Sequence, residues 1–524
     1  MPKSSFKLGE DHLTVGHALD MARSKTLAVF SPSTKKKIAR SQKCVETLVA
    51  SGKNVYGVNT GFGPLCTSII SKEDSQKLQQ NILRSHSVGM GNPVSTEIAR
   101  LMLVLKLHNL SLGYSGVRQE TLDRILWHLN EDIIPLVPEQ GSVGASGDLA
   151  PLAHLFLPLI GQGTVEHKGK KFPTGNYLKK VGKKPLELGA KEGLALINGT
   201  QFIAAHTVVG LEKLLNVLNT ADIISAMSLE SLMGSASPFD ARLHELRPFE
   251  GSKTVAHRMR ALLAKSKILA SHLDCNRVQD PYSLRCVPQV HGASRDAWLH
   301  LNRLCKIELN SVTDNPIILD EETAISGGNF HGQPLAIPLD YAVVASSEIG
   351  NISDRRSYLL LEGKVEGLPK LLMRNTGINS GFMIPQYTSA ALVSENKSLC
   401  FPASADSIPT SLGQEDHVSM GSISGRRLIQ VTQNVEKVLA VELVCAAQAF
   451  DFRHPLKSGP ILEKCHDLIR QHIDHAEEDR IFADDLESAL ELISSKKLNQ
   501  CAEKVARDRK LNLDGDLHEH FRLY

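Results

Sequence analysis

Apolar residues recur with helical spacing through most of the chain, whereas convincing strand alternation is scarce. The pattern predicts a helix over residues 34–49 that ends at Gly52, since glycine is a common helix C-cap. Ser71 and Asp74 resemble a capping box, which indicates the start of another helix that continues to His86. The first part of the chain therefore predicts amphipathic helices joined by loops.

Longer and more apolar helical segments follow. Residues 98–112 are apolar on almost every side, which is typical of a helix buried all round. The later candidate helices lie at about 193–230, 289–312, 338–363, 386–400 and 418–450. Long helices packed side by side form an elongated bundle. Several of these helices have faces too apolar for water, which indicates that neighbouring subunits cover them.

The pattern as a whole predicts a mainly α protein. We expect an elongated bundle of long central helices and a smaller α-rich N-terminal part that carries the loops of the candidate site. The chain forms a single unit over residues 1–524 on this interpretation. Within it, about 1–190 make the N-terminal part, about 191–455 the bundle, and about 456–524 two charged amphipathic helices, of which 486–497 is the clearest.

The connections between these helices combine glycine and proline with polar and aromatic side chains. That composition is typical of loops that build a site on a rigid scaffold. The segments concerned are VYGVNTGFG at 55–63, RVQDPYSLRCVPQVHG at 277–292, TDNP at 313–316, SGGNFHGQP at 326–334 and SLGQEDHVSMGS at 411–422. These segments are the candidate walls of a functional site.

The segment GSVGASGDLAPL at residues 141–152 combines small residues with further glycines and a proline. The interior of a helix or strand does not tolerate that combination, so we expect a tight loop whose backbone approaches another group closely. Its central triplet is Ala145, Ser146 and Gly147. The same triplet recurs at 50–52, where it looks like an ordinary helix end, so the triplet alone specifies nothing.

A sharp bend in this loop would permit a backbone reaction. The amide nitrogen of Gly147 is unshielded by a side chain, and the carbonyl carbon of Ala145 is equally open. Ring closure between them with loss of water, followed by loss of the Ser146 hydroxyl, would give a conjugated ring with an exposed methylidene carbon. That product is an electrophile, which the standard side chains do not provide. The residue types permit the reaction without showing that it occurs.

The amino-acid composition and net charge argue against several classes of protein and of binding partner. Apolar residues make up 42% and charged residues 22% of the 524 residues, as in a globular protein that is neither disordered nor fibrous. With 59 basic and 57 acidic side chains, the net charge of +2 argues against nucleic acid or an anionic membrane as the main partner. No secretion signal or membrane span is visible, and the nine cysteines show no zinc spacing. We expect a cytoplasmic protein with reduced thiols and no bound metal.

The longer run GSVGASGDLAPLAHL resembles the signature of the aromatic amino acid lyases, a family that contains histidine, phenylalanine and tyrosine ammonia-lyases and related aminomutases. The resemblance extends in family order over nearly the whole chain. It includes VYGVNTGFG, ALINGTQ at 195–201, DPYSLRCVPQV, SGGNFHG and QEDHVSMG. Each motif alone would be weak, whereas the set is highly specific. The chain departs from the family pattern at Leu412 and Gly413 before Gln414, and at Gln333 after NFHG.

The resemblance implies a prosthetic group and roles for named residues. In the family the Ala-Ser-Gly triplet cyclises to 4-methylideneimidazol-5-one (MIO), so Ala145, Ser146 and Gly147 would be its precursors and no external cofactor would be needed. Tyr56 matches the general base. The other matches are Tyr282 and Asn198 beside the prosthetic group, Arg285 on the substrate carboxylate, and Gln279, Asn329 and Phe330 in the surrounding wall. The family also implies a homotetramer with active sites shared between subunits.

Two positions bear on the substrate. His86, preceded by Ser85, stands where the resemblance gives histidine enzymes a Ser-His pair, tyrosine enzymes a His-Leu pair and phenylalanine enzymes a Phe-Leu pair. The resemblance implies a catalytic role for Glu415, whose carboxylate can pair with an imidazole, whereas a buried acid beside a phenyl ring would lack a partner. We therefore expect elimination of ammonia from L-histidine to give urocanate, as in histidine catabolism. A tyrosine or phenylalanine ammonia-lyase and an aminomutase remain alternatives, and the choice between amine addition and ring addition stays open.

Three other function classes are disfavoured. A nucleotide-binding loop would need a Gly-Lys-Ser/Thr motif after a strand. A metal hydrolase built on residues 415–417 would need a ligand motif such as His-Glu-x-x-His. A non-catalytic assembly protein with the same fold would be expected to have lost Ser146, Tyr56 or Arg285, and all three are present.

Overall fold

The computed structural model describes residues 4–51, Tyr56, Thr60, 72–273 and 278–524 of the chain. These residues form a mainly α protein, as the hydrophobic pattern predicts. The α-helices in these ranges are α1 (Val15–Ala22), α2 (Pro32–Ala50), α3 (Lys72–His86), α4 (Thr96–Ser111), α5 (Gln119–Asn130), α6 (Leu149–Phe156), α7 (Thr174–Lys180), α8 (Glu192–Ile197), α9 (Gln201–Ser231), α10 (Ala241–Glu245), α11 (Glu250–Leu262), α12 (Lys267–Ala270), α13 (Tyr282–Arg285), α14 (Val287–Leu309), α15 (Gln333–Leu361), α16 (Met383–Leu399), α17 (Gly421–Asp451), α18 (Pro460–Arg470), α19 (Phe482–Ser494) and α20 (Lys497–Asp508).

The strands of the described ranges are short. They are β1 (Ser4–Lys7), β2 (Thr26–Val29), β3 (Met90–Pro93), β4 (Ile134–Pro135), β5 (Pro138–Gln140), β6 (Thr164–His167), β7 (Lys170–Pro173), β8 (Ile317–Ile318) and β9 (Ala324–Ile325). β1 and β2 pair in parallel, whereas β3 with β5, β4 with β6, β6 with β7, and β8 with β9 pair antiparallel. None of the helices in these ranges has the length and apolarity needed to cross a membrane.

Most predicted helices lie within a few residues of their expected bounds. Every residue from 98 to 111 on α4 is buried, which confirms the helix predicted there. α2 ends at Ala50 and α3 continues to His86, as predicted. Gly52 and Ser71, the expected cap residues, lie outside the described residues. Four of the five long candidates correspond to α14, α15, α16 and α17.

Two helix predictions are wrong in their boundaries. The segment 193–230 is not one helix, because α8 and α9 are separated at Asn198, which is extended, and Gly199, whose φ is +119°. The C-terminal part holds three helices rather than two, since Lys496 adopts a left-handed conformation (φ +64°) between α19 and α20. The break at 198–199 falls inside a run whose apolar spacing continues across it, so periodicity alone does not show it, whereas the break at Lys496 lies at the predicted end of the helix over 486–497.

Three of the long helices run in the same direction. α9 and α17 approach each other at Gly210 and Leu428, and again further along both helices at Ser228 and Glu442, whose side chains hydrogen-bond at 2.7 Å. The same order holds for α15 and α17, through the pairs Ser346–Thr432 and Arg356–Glu442. α9, α15 and α17 therefore all begin at one end of the bundle.

α14 runs the opposite way. Trp298 Nε1 donates to the carbonyl oxygen of Leu211 at 2.8 Å. His291, which is earlier in α14, hydrogen-bonds at 2.8 Å to Asp222, which is later in α9. The loops that precede α9, α15 and α17 therefore lie at one end of the bundle, and the loops that follow these helices lie at the other end.

Arg356 and Glu442 form a buried ion pair between α15 and α17. Arg356 donates to the two carboxylate oxygens at 2.6 and 2.9 Å, and neither side chain is exposed. Loss of one partner leaves the other charge buried and unpaired, so we expect Arg356→Met to lower the free energy of unfolding by about 3–5 kcal/mol in urea titrations. Arg356→Met/Glu442→Leu should lose less than Arg356→Met, and an equal or larger loss would contradict this explanation.

Candidate active site

The glycine-rich loop closes tightly between Gly141 and Asp148. Gly147 has a φ of +78°, and a Cβ atom at that position would overlap the carbonyl group of Gly199. The two glycines form an isolated parallel bridge, and the Asp148 amide donates to the Gly199 carbonyl oxygen at 2.8 Å. The predicted close backbone approach is therefore present, and the neighbour is the turn between α8 and α9. Residues 149–152 were expected in the loop but begin α6 instead.

Asp148 fastens the loop to the start of α9. Its side chain is fully buried and accepts a hydrogen bond from Ser142 Oγ at 2.9 Å. Its other oxygen accepts from the amides of Phe202 and Ile203, both at 3.0 Å. Burial raises the pKa of Asp148 to about 7, although these three donors oppose the shift. The carboxyl group thus satisfies amides at the N-terminus of α9 that would otherwise lack partners.

The segment 419–422, where α17 begins, holds the other side of the loop. Ser419 Oγ donates to the carbonyl oxygen of Gly144 at 3.1 Å. Ser422 Oγ donates to the carbonyl oxygen of Ser142 at 2.6 Å. The loop therefore lies between the first residues of α9 and of α17.

Ser146 lies against Glu415. Ser146 Oγ donates to Glu415 Oε1 at 3.3 Å. The second oxygen, Glu415 Oε2, is buried and has no hydrogen-bond partner among the described residues. Burial lowers the pKa of His86, and the nearby charge of Glu415 opposes that shift. The structure thus brings together three residues that the sequence singled out, from α3, the glycine-rich loop and the 411–422 segment.

The NFHG segment reaches the same region. His331 Nε2 hydrogen-bonds to the carbonyl oxygen of His417 at 3.2 Å, which ties the segment to the residues after Glu415. Asn329 is exposed and donates to the carbonyl oxygen of Val312 at 3.2 Å, whereas Phe330 is half-buried. This end of the bundle therefore holds both predicted wall residues of that segment.

Two further predicted residues, Asn198 and Tyr56, also lie among the described residues. Asn198 is buried next to Gly199, and its carbonyl oxygen accepts a hydrogen bond from Lys106 Nζ. Tyr56 is half-buried and packs against the main hydrophobic core. Its sequence neighbours at 52–55 and 57–59 lie outside the described residues. The role of Tyr56 as a base therefore remains a prediction from the resemblance.

The residues around α13 form a separate group. The Arg285 guanidinium lies over the Tyr282 ring at 4.6 Å, and Arg285 Nε is buried without a hydrogen-bond partner in the part of the chain that the structure describes. Tyr282 is 70% exposed. Gln279 and Arg285 line an open cavity of about 600 Å³. Asp280 accepts a hydrogen bond from the amide of Ser235, just beyond the end of α9, at 2.6 Å.

These two groups lie at opposite ends of the bundle. The glycine-rich loop contacts Phe202 at the start of α9, whereas Asp280 contacts the residues that follow Ser231 at its end. With a rise of 1.5 Å per residue, α9 separates them by roughly 40 Å. α15 gives a similar separation, since Arg356 near its end hydrogen-bonds to the Ser283 carbonyl oxygen at 3.5 Å. One chain therefore does not bring its own Gln279, Tyr282 and Arg285 to its own Ser146.

A sequence profile of the family described as aromatic amino acid lyase matches residues 13–471. The chain belongs to this family. It is 45% identical over 483 residues to the histidine ammonia-lyase of Natranaerobius thermophilus, covering 92% of this chain and 95% of that protein. The crystal structure of histidine ammonia-lyase from Trypanosoma cruzi superposes with a TM-score of 0.88 at 38% identity, covering 97% of both chains. A tyrosine aminomutase from Streptomyces globisporus superposes with a TM-score of 0.91 at 34% identity, covering 96% of this chain and 99% of that one.

As an aromatic amino acid lyase, the chain is a carbon–nitrogen lyase of the ammonia-lyase class, and the lyases of this family use an MIO group. Among the described residues, no group of three or more histidine, cysteine or acidic side chains could hold a metal ion.

Sequence reasoning missed the residues that hold the lyase loop in place, namely Asp148, Gly199 and Ser419. Asp148 directly follows the triplet and precedes a helix, a position where an acid commonly satisfies backbone amides. Gly199 and Ser419 stand within recognised motifs. Their contacts join segments that are far apart in the sequence, and neither residue type nor spacing indicates such a contact.

Proposed function

We propose that this chain eliminates ammonia from L-histidine to give urocanate. The observation that carries the proposal is the pairing of Ser146 with Glu415, whose second carboxylate oxygen is buried without a hydrogen-bond partner among the described residues. An imidazole N–H would satisfy that oxygen, whereas the phenyl ring of phenylalanine could not. The names of the relatives at 45% and 38% identity support the same substrate.

The loop fits an MIO group formed from Ala145, Ser146 and Gly147. Ala145 and Gly147 are buried, and Gly147 has no room for a Cβ atom beside Gly199. Gly144 is equally confined, since a Cβ atom there would overlap Ser419 Oγ. When formed, the group supplies an electrophilic methylidene carbon. Only backbone atoms therefore fit at these two glycines, which suits a compact ring made of backbone atoms.

The remaining residues bind the substrate and move its proton. Glu415 accepts the imidazole N–H, and His86, kept uncharged near neutral pH because burial lowers its pKa, hydrogen-bonds to the same ring. Arg285 binds the carboxylate through its planar guanidinium. Tyr56 removes the β-proton, which is weakly acidic, so the base must be held close to it and away from water. We propose that Asn198 and Tyr282 lie beside the prosthetic group. The surrounding wall consists of Gln279, Asn329 and Phe330.

The site takes residues from more than one copy of the chain. Arg285 cannot reach Ser146 of the same chain across roughly 40 Å of helix, so a second copy supplies it. Exposed apolar side chains on α15 and α16 offer surfaces for that copy, namely Ile337, Tyr341, Tyr358, Ile384 and Tyr387. We infer a cytoplasmic homotetramer. Each chain is one unit, and the boundaries between its N-terminal part, its helix bundle and its C-terminal helices lie near residues 190 and 455.

The substrate is tested by incubating the purified protein with L-histidine and following the ultraviolet absorbance of urocanate. L-phenylalanine and L-tyrosine serve as matched substrates, and chromatography of the products would detect a β-amino acid. We expect urocanate alone. Cinnamate, coumarate or a β-amino acid as the main product would contradict the proposal.

Glu415→Gln is expected to lower kcat/KM for L-histidine by about 10- to 100-fold, because it removes a hydrogen bond to a charged group worth about 1.5–3 kcal/mol. The prosthetic group should still form, which the intact mass would show. Asp416→Asn is the matched control, since Asp416 is the neighbouring acid and is exposed. Equal losses in the two variants would show that general charge rather than the placement of Glu415 is responsible.

A further inference from the structure

Lys106 is a buried cation on α4 for which the proposed reaction has no use. It has no exposed surface, and every residue from 98 to 111 around it is buried. A buried ammonium group is costly unless its hydrogen bonds are satisfied. Burial lowers the pKa of Lys106 to about 7. A lysine at this position therefore requires a specific partner.

That partner is the turn behind the triplet. Lys106 Nζ donates to the carbonyl oxygen of Asn198, the residue before Gly199. Gly199 is confined, since a Cβ atom there would lie 2.6 Å from Gln201 Oε1 and 2.8 Å from Thr313 Oγ1. The turn has no side chain of its own at Gly199 with which to hold its position. Hydrogen bonds of its backbone help to fix where it lies, and those to its carbonyl groups come from Lys106 at Asn198 and from the Asp148 amide at Gly199.

Charge balance alone does not explain Lys106. Two carboxylates lie near enough to raise its pKa, those of Asp314 and Asp148, and the ammonium of Lys191 lowers it. Asp314 is already paired with Lys191 in a fully buried ion pair. Asp148 is satisfied by three hydrogen-bond donors. Lys106 donates instead to a backbone carbonyl, which points to a role in holding the backbone.

We propose that Lys106 is a positioning residue for the Ala145–Gly147 triplet, acting through the Asn198 carbonyl to hold Gly199 against Gly147. This inference rests on the proposed function, because cyclisation of the triplet is the step that the position of Gly199 controls. With the ammonium in place, the Gly199 carbonyl oxygen stays on the Asp148 amide and the triplet stays bent. Without it, the turn loses one of the contacts that hold it against the loop, and the Gly199 carbonyl oxygen is held less firmly on the Asp148 amide.

Lys106→Met keeps the apolar stem and removes the donor. We expect it to fold, to form the prosthetic group about a hundredfold more slowly, and to expose the Asp148 amide to faster hydrogen exchange. Intact mass follows the loss of two water molecules, and near-ultraviolet absorbance follows the conjugated ring. Arg100→Met is the matched control, since Arg100 is another buried cation on α4 that donates to a backbone carbonyl, that of Ala22, remote from the loop.

The outcomes separate the two proposals. Lys106→Met that loses two waters at the rate of Arg100→Met, with the same exchange at Asp148, would overturn the role of Lys106 alone. A wild-type protein that keeps its full translated mass would overturn the proposed function and this inference with it. Should Lys106→Met not fold, Lys106→Leu, which also removes the donor, is measured in the same way, and loss of two waters at the rate of Arg100→Met would again overturn the role of Lys106.

Discussion

Ser146→Ala is expected to lower the turnover of L-histidine by about four orders of magnitude or more, since enzymes commonly accelerate reactions at least about 10⁶-fold. Without the hydroxyl, the triplet has no leaving group from which the methylidene carbon can form. The structural cost should be small, because the Ser146 side chain makes one long hydrogen bond among the described residues, of 3.3 Å, to Glu415. The far-ultraviolet circular dichroism spectrum should therefore match that of the wild type.

Ser51→Ala is the matched control. Ser51 is the centre of the second Ala-Ser-Gly triplet, and its Oγ donates to the Leu48 carbonyl oxygen at 2.8 Å at the end of α2. We expect full activity and full loss of two waters in Ser51→Ala, and neither in Ser146→Ala. Turnover retained by Ser146→Ala would rule out the triplet at 145–147 as the source of the electrophile.

Helical periodicity predicts most of the fold, because most long helices here bury a continuous apolar face that repeats every turn. It failed where the chain turns without changing that period, at Gly199. Left-handed or extended backbone at one or two residues is sufficient to end a helix. Such a break is set by tertiary contacts, such as those that surround Gly199, and the local sequence does not contain them.

The sequence predicts those residues of the candidate site that stand in recognisable motifs. Ser146 and Glu415, which both stand in such motifs, are in contact in the structure. The position of Arg285 relative to Ser146 could not be predicted. It follows from three parallel helices of about thirty residues, which place the two motifs at opposite ends of the bundle.

Arg285→Met is expected to lower kcat/KM for L-histidine by about 2–5 kcal/mol, or roughly 30- to 4,000-fold, because the substrate carboxylate would lose its cationic partner. Arg285 Nε is buried and has no hydrogen-bond partner among the described residues, so the chain itself loses mainly the contact of the guanidinium with the Tyr282 ring when the guanidinium is removed. The prosthetic group should form normally, since the contacts that hold the glycine-rich loop, among them those of Asp148 and Ser419, come from the loop's own chain and not from Arg285. Intact mass and steady-state kinetics measure the two effects separately.

The shared site gives this variant a sharper test. Ser146→Ala and Arg285→Met are each nearly inactive, but coexpression in equal amounts should restore about a quarter of wild-type activity, because half of the loops and half of the arginines are intact and each site draws them from different chains. The double variant Ser146→Ala/Arg285→Met coexpressed with Arg285→Met is the control, since no intact arginine is then present. If Ser146 and Arg285 served the same site from one chain, coexpression of the two single variants would restore nothing, and the inference of a shared site would be wrong.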